Sequence, residues 1–95
     1  MAAYVIANIE VTDPDAYAEY RRGVQATIDA FGGRFLVRAG RSEALEGTLV
    51  PARIVVLEFP DYDRAKAWWD SDLYRPLREM RMRASHGDLI VAEGV

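Results

Sequence analysis

The chain has no cysteine and only one histidine, His86. The first absence removes disulfides, thiolate metal sites and cysteine nucleophiles. The second removes any metal centre built from several histidines. No window approaches the roughly 20 apolar residues of a membrane span. The opening Met1-Ala2-Ala3-Tyr4-Val5-Ile6-Ala7-Asn8-Ile9-Glu10 lacks a basic n-region and is broken by Asn8 and Glu10, so it reads as a strand rather than a leader. There is no cationic excess either: the net charge of −3 argues against nucleic-acid binding by bulk electrostatics. A Gly-rich phosphate loop, a nucleophile elbow and a Cys/His dyad are all missing. Any catalysis would fall to pocket shape and a few polar groups. These absences lead us to expect a cytoplasmic protein with no metal, cofactor, membrane or nucleic-acid partner.

What is present fits one domain over residues 1–95, with 51% hydrophobic and 28% charged residues. The organising stretch is Arg53-Ile54-Val55-Val56-Leu57-Glu58-Phe59, bounded by Pro51 and Pro60. Ile54 and Val56 point one way, Val55, Leu57 and Phe59 the other. A strand apolar on both faces must be covered on both. A chain of 95 residues has helix enough for one face only, which predicts a partner subunit.

In chain order, Tyr4–Val11 is a strand with Tyr4, Ile6, Asn8 and Glu10 on one face. Asp13 is an N-cap, Pro14 suits the first helical position, and Asp15 favours the positive end of the dipole. Tyr17, Tyr20, Val24, Ile28 and Phe31 then form an apolar helical stripe, stopped by Gly32-Gly33. Arg34–Arg41 is a second strand, with Phe35, Val37 and Ala39 opposite Arg34, Leu36 and Arg38. A symmetric hairpin places Arg34 near Glu58 and Arg38 near Ile54, unless a bulge shifts the register. Pro60-Asp61-Tyr62-Asp63 opens a second helix carrying Ala65, Trp68 and Trp69, which breaks near residues 70–75 at Asp70-Ser71-Asp72 and Pro76. Leu73, Leu77, Met80 and Ala84 form a short stripe, with Arg75, Arg78, Arg81 and Arg83 mainly elsewhere. Gly87 ends that helix, and Asp88–Glu93 is the last strand. The expected architecture is α+β, ferredoxin-like βαββαβ: a four-stranded antiparallel sheet with helices on one face. The other face would pack on a second copy, giving a homodimeric α+β barrel.

Several segments carry a resemblance: Asp13-Pro14 with Tyr17 and Tyr20, Gly32-Gly33-Arg34-Phe35-Leu36-Val37-Arg38-Ala39-Gly40, Val56-Leu57-Glu58-Phe59-Pro60 and Val91-Ala92-Glu93-Gly94-Val95. They resemble domain of unknown function family 1330, within the dimeric α+β barrel superfamily, over essentially the whole chain. The resemblance implies no established activity. The wider superfamily includes cofactor-free quinol-type monooxygenases, haem-degrading monooxygenases and small isomerases, whose ligands sit between helices and sheet. The haem degraders use an Asn on the first strand and a Trp and a His on the second helix. Asn8 and Trp68 match the first two, but Arg78 stands where the His should fall, which argues against haem breakdown.

Each candidate has a functional and a structural reading. Asn8 would orient a carbonyl or quinone oxygen, or bond a neighbouring group. Trp68 and Trp69 would wall a flat-ligand pocket, or one fills the core while the other lies outside. Tyr17 and Tyr20 would donate protons in that pocket, or serve as core residues whose hydroxyls reach the surface. Arg38 would bind an anion and Glu58 act as a base, or Arg34 and Glu58 form a strand-end ion pair. His86 would shuttle protons, or interact with a helix terminus. The pairs Asp61/Asp63 and Asp70/Asp72 read as helix starts, because no oxygen-rich loop surrounds them. The leading expectation is a homodimer with a small-molecule pocket, and cofactor-independent oxygenation or isomerisation of a flat aromatic or conjugated acid if it is an enzyme. The alternative is a non-catalytic ligand-binding or structural dimer module.

Overall fold

The computed structural model describes residues 1–95 and orders the elements as β1 (Ala3–Val11), α1 (Pro14–Ala30), β2 (Arg34–Arg38), β3 (Arg53–Phe59), α2 (Tyr62–Asp70), α3 (Arg75–Ala84) and β4 (Ser85–Glu93). The strands form one antiparallel sheet in the order β2-β3-β1-β4. This is the ferredoxin-like βαββαβ arrangement, with the second helical segment in two pieces.

Local chemistry sets the helix limits. The Asp13 side chain accepts from the Ala16 N–H at 3.2 Å, and Asp61 accepts from the Arg64 N–H at 2.7 Å. At the end of α1, Gly32 adopts φ +74, its N–H bonds the Asp29 carbonyl, and the Gly33 N–H reaches back to the Ile28 carbonyl. That is a Schellman closure, which needs a left-handed residue at the position of Gly32. The break between α2 and α3 falls where Asp70-Ser71-Asp72 and Pro76 predict it. Ser71 Oγ donates to the Trp68 carbonyl at 2.8 Å and accepts from the Tyr74 N–H at 3.1 Å, closing one helix and starting the next.

The core lies between helices and sheet. Ala3, Val5, Ala7 and Ile9 of β1 and Leu57 and Phe59 of β3 meet Tyr17, Tyr20, Val24 and Ile28 of α1, with Ala65, Trp68, Tyr74 and Ala84 completing the cluster. Burying each large apolar side chain contributes roughly 1.5–3 kcal/mol before chain entropy is counted.

The other face carries no helix. Across it, hydrogen-bonded register aligns Val37, Val56, Ile6 and Ile90 in one row over all four strands. Ile6 is 37%, Val37 38% and Ile90 57% exposed. Parity along β3 predicts this face, since Ile54 and Val56 alternate with the buried Leu57 and Phe59.

Three expectations need correction. β4 begins at Ser85 rather than Asp88, so His86 lies in the strand opposite Glu10 and not at a helix end. Gly87 does not stop the helix. It sits within β4 at φ +148, where a Cβ would lie 2.0 Å from the Asn8 carbonyl oxygen. α3 ends instead because the Thr12 and Asp13 N–H groups both bond the Ala84 carbonyl, which ties the helix end to the end of β1. β2 also stops at Arg38, short of Arg41, where Ala39 turns to φ +56.

Candidate functional site

A cavity opens between α1 and the helix-covered face of the sheet. Its walls are mostly apolar and include Val5, Ile9, Val24, Ile28, Leu57 and Trp68. Polar groups enter from Tyr17, Tyr20, Arg21, Arg38, Arg53 and Arg81. It leaves about 40 Å³ for water-sized molecules, which is room for a few waters. An aromatic ring would need the side chains at the mouth, chiefly the exposed Arg21 and Arg38, to swing outward.

The position of Arg38 depends on a β-bulge. Phe35 pairs with Leu57, but Val37 pairs with Val56, so the register shifts at Leu36. The extra residue reverses the parity of the strand beyond it. Val37 therefore joins the helix-free face, while Arg38, paired with Val55 rather than Ile54, turns to the helix side. Its guanidinium carbon lies 4.2 Å from the Phe35 ring centroid. On β3, Arg53 shares the face of Val55 and Leu57, and its guanidinium lies 5.3 Å from the centre of the Tyr17 ring. Tyr17 itself packs 5.4 Å from Tyr20.

Deeper in, Tyr20 Oη and Tyr74 Oη are 2.9 Å apart, and Arg81 Nε donates to Tyr74 Oη at 3.3 Å. Burial, reinforced by the neighbouring Tyr74 phenol and only partly opposed by Arg81, raises the Tyr20 pKa far above its ordinary value. Tyr20 therefore stays a neutral phenol, able to give or take a hydrogen bond. Trp68 is buried, and its Nε1–H donates to Thr27 Oγ1 at 3.0 Å. Its indole stacks on Tyr74 at 4.1 Å, with Phe59 tilted beside it at 5.4 Å. One face of the indole is already taken, so Trp68 serves the cavity as a wall rather than as a free stacking platform.

The predicted residues do not all converge. Tyr17, Arg38 and Trp68 line the same cavity. Asn8 and Glu58 lie on the opposite face of the sheet, and the placement of Asn8 in a helix–sheet pocket is corrected accordingly. Asn8 Nδ2–H donates to the Val50 carbonyl at 3.2 Å, and Asn8 Oδ1 accepts from the Ala52 N–H at 2.8 Å. The amide fastens the end of the β2–β3 connection to β1. Glu58 accepts from Arg34 Nε at 2.9 Å in the strand-end pair its register implies, and it cannot reach a ligand in the cavity. Trp69 is 37% exposed and carries the Arg78 guanidinium 4.1 Å above its ring. His86 Nε2 and Glu10 Oε1 are 3.5 Å apart, both largely exposed. No three His, Asp or Glu side chains are grouped to hold a metal. No helix is long and apolar enough to cross a membrane. A wider groove of about 490 Å³ runs between α2 and β4 past Trp69, but its charged groups are Asp63, Lys66 and Asp70, without a convergent set.

Arg53 and Arg81 escape a reading by residue type, although their spacing carries a signal. Arg53 is two residues before Val55 and shares its side of β3. Arg81 follows Leu77 by four and precedes Ala84 by three, which places it on the inward stripe of α3.

The topology defines a ferredoxin-like α+β protein with a cavity between helices and sheet. Solved structures of the same fold include RPA0582, a protein of unknown function from Rhodopseudomonas palustris, with a TM-score of 0.78 and 16% identity over 99% of this chain and 82% of that one. HapK from Hahella chejuensis has a TM-score of 0.64 and 19% identity over 98% of this chain and 92% of its own. A candidate antibiotic biosynthesis monooxygenase from Nitrosomonas europaea has a TM-score of 0.60 and 14% identity over 99% and 90%. At these identities the likeness is one of fold. No curated protein matches the chain. The chain belongs to the family Domain of unknown function (DUF1330), whose profile matches residues 2–95.

Proposed function

We propose that this protein is a homodimer whose subunits each hold a small organic ligand between helices and sheet. The observation that carries the reading is the division of labour between the two sheet faces. One face holds an apolar cavity with tyrosines and arginines at its border. The other presents the bare row Val37, Val56, Ile6 and Ile90, the kind of surface that sheet-to-sheet contact with a second copy would cover. Within the cavity, Tyr17 and Arg38 would hold the ligand near the mouth and Trp68 would bound its inner end.

Two forms of the reading differ in chemistry. The catalytic form, cofactor-independent oxygenation or isomerisation, draws support from the monooxygenase-named neighbour and from the Tyr20–Tyr74 hydroxyl pair. The binding-only form draws on the lining itself, which contains no carboxylate to serve as a base once Glu58 is placed on the far face. A thermal-shift screen of planar aromatic acids and quinols, followed by an oxygen-consumption assay on any hit, tests both. Stabilisation with turnover supports the first form, and stabilisation without turnover the second. No stabilisation by any compound would remove the ligand-binding reading.

A further inference from the structure

The cavity concentrates one kind of charge. Four arginines, Arg21, Arg38, Arg53 and Arg81, border it, and no Asp or Glu does, in a chain whose net charge is −3. The ion pairs of the molecule lie elsewhere, at Arg22–Glu19, Arg34–Glu58, Arg75–Asp72 and His86–Glu10. None of the four lining guanidinium groups has a carboxylate within 4.0 Å.

Exposed arginines can leave that imbalance to water, but Arg81 and Arg53 cannot do so fully. Arg81 is 7% exposed, and its side chain makes one hydrogen bond, to the Tyr74 hydroxyl. Arg53 Nε is buried with no hydrogen-bond partner. Beside these groups the only compensation is the Tyr17 ring under Arg53 and the one hydrogen bond of Arg81, and neither supplies a counter-charge, which points to an anion as the missing partner. Arginine also presents a planar fork of donors that matches a carboxylate.

Register gives the cavity a direction. Arg53 pairs with Ile9, and Arg81 lies one turn before Ser85, which pairs with Val11, so both belong to the C-terminal end of β1. Towards Val5, whose neighbours are Leu57 and Val91, the lining is apolar and runs up to Trp68 and Ile28. From this we infer that the cavity is a receptor for an apolar monocarboxylate, its carboxylate held by Arg53 and Arg81 and its hydrocarbon body directed towards Val5 and Trp68. Tyr17 holds Arg53 in place through its ring, and Tyr74 does the same for Arg81 through its hydroxyl. The inference rests on the proposal that the cavity admits a ligand, and adds what that ligand must carry.

The test compares cinnamate with cinnamyl alcohol, a neutral molecule of nearly the same shape. Binding is followed by the Trp68 indole N–H resonance and by thermal shift, in the parent protein and in Arg53→Met and Arg81→Met. The expected result is at least tenfold tighter binding of the acid by the parent. Each variant should lose most of that preference, with the acid weakened at least fivefold more than the alcohol. The ligand-free variants should be no less heat-stable than the parent, because an uncompensated charge has been removed. A merely structural arginine would instead lower stability and weaken both compounds together. Equal binding of acid and alcohol by the parent, or a preference that survives in both variants, would overturn the carboxylate site while leaving a ligand cavity standing. Failure of both compounds to bind would overturn the cavity reading and the carboxylate site with it.

Discussion

Replacing Asn8 with alanine separates a loop-fastening role for this residue from a ligand-orienting one. Its amide makes two hydrogen bonds to the segment leading into β3, one given to the Val50 carbonyl and one received from the Ala52 N–H. A net value of about 0.5–1.5 kcal/mol for each, reduced because water can reach this region, gives an expected loss of about 1–2 kcal/mol. For a chain of this size that corresponds to a fall in Tm of roughly 4–8 °C per kcal/mol. Asn8→Asp should be no better than alanine at neutral pH. It keeps the acceptor for Ala52 but loses the donor to Val50, and it faces Asp88 across the β1–β4 pair. Acidification that protonates the new carboxyl should then recover part of the loss. Urea unfolding at pH 7 and pH 4, relative to the parent at each pH, measures these differences, and titration with a cavity ligand supplies the second readout. The sheet stands between Asn8 and the cavity, so affinity should stay within about twofold of the parent. Unchanged stability accompanied by a large loss of affinity would refute the placement of Asn8 as a loop fastener.

Two further perturbations test the interior. Thr27→Val removes the acceptor for the buried Trp68 Nε1–H at nearly constant volume, so urea unfolding should show a loss of about 1–3 kcal/mol, with Thr27→Ser retaining most of the parent value; an unchanged midpoint for the valine variant would contradict the bond. Tyr20 keeps its proton in the fold at pH values where the unfolded chain, with an ordinary value of 10.0, has released it. The stabilising difference is intact below that value and is lost as pH rises past it, by about 1.4 kcal/mol per pH unit for one proton. Stability measured across this range should therefore fall more gently in Tyr20→Phe than in the parent, and identical slopes would contradict the assignment.

Much of the architecture is legible in the sequence because single residues enforce it. Asp13-Pro14 and Asp61 start helices, Gly32-Gly33 closes one, and Ser71 with Pro76 divides another. The alternation of Ile54 and Val56 with Val55, Leu57 and Phe59 predicts a sheet apolar on both sides. What escapes is decided between elements. The bulge at Leu36 leaves no distinct mark on the local pattern, yet it moves Arg38 to the helix side and Val37 away from it. The start of β4 depends on pairing with Val11, so Ala84-Ser85-His86-Gly87 looks like a helix end until β1 is in place. Arg81 has the spacing of a core residue and the chemistry of a surface one, and charge outweighs position when the sequence is read alone. Asn8 and Glu58 fall on the helix-free side by simple alternation along their strands. Their chemical types suit catalysis, but parity along the strand, which is the stronger constraint, places them away from the cavity.

In the proposed homodimer the row Val37, Val56, Ile6 and Ile90 would lie against a second copy, leaving the helix-covered side free to hold ligand. Light scattering on a size-separated sample at micromolar concentration tests it most directly. The predicted mass is twice the 10.7 kDa of one chain, falling to a single chain in Ile6→Lys with its circular dichroism intact. A parent protein that runs as one folded chain, with Ile6 and Ile90 in water, would contradict the account.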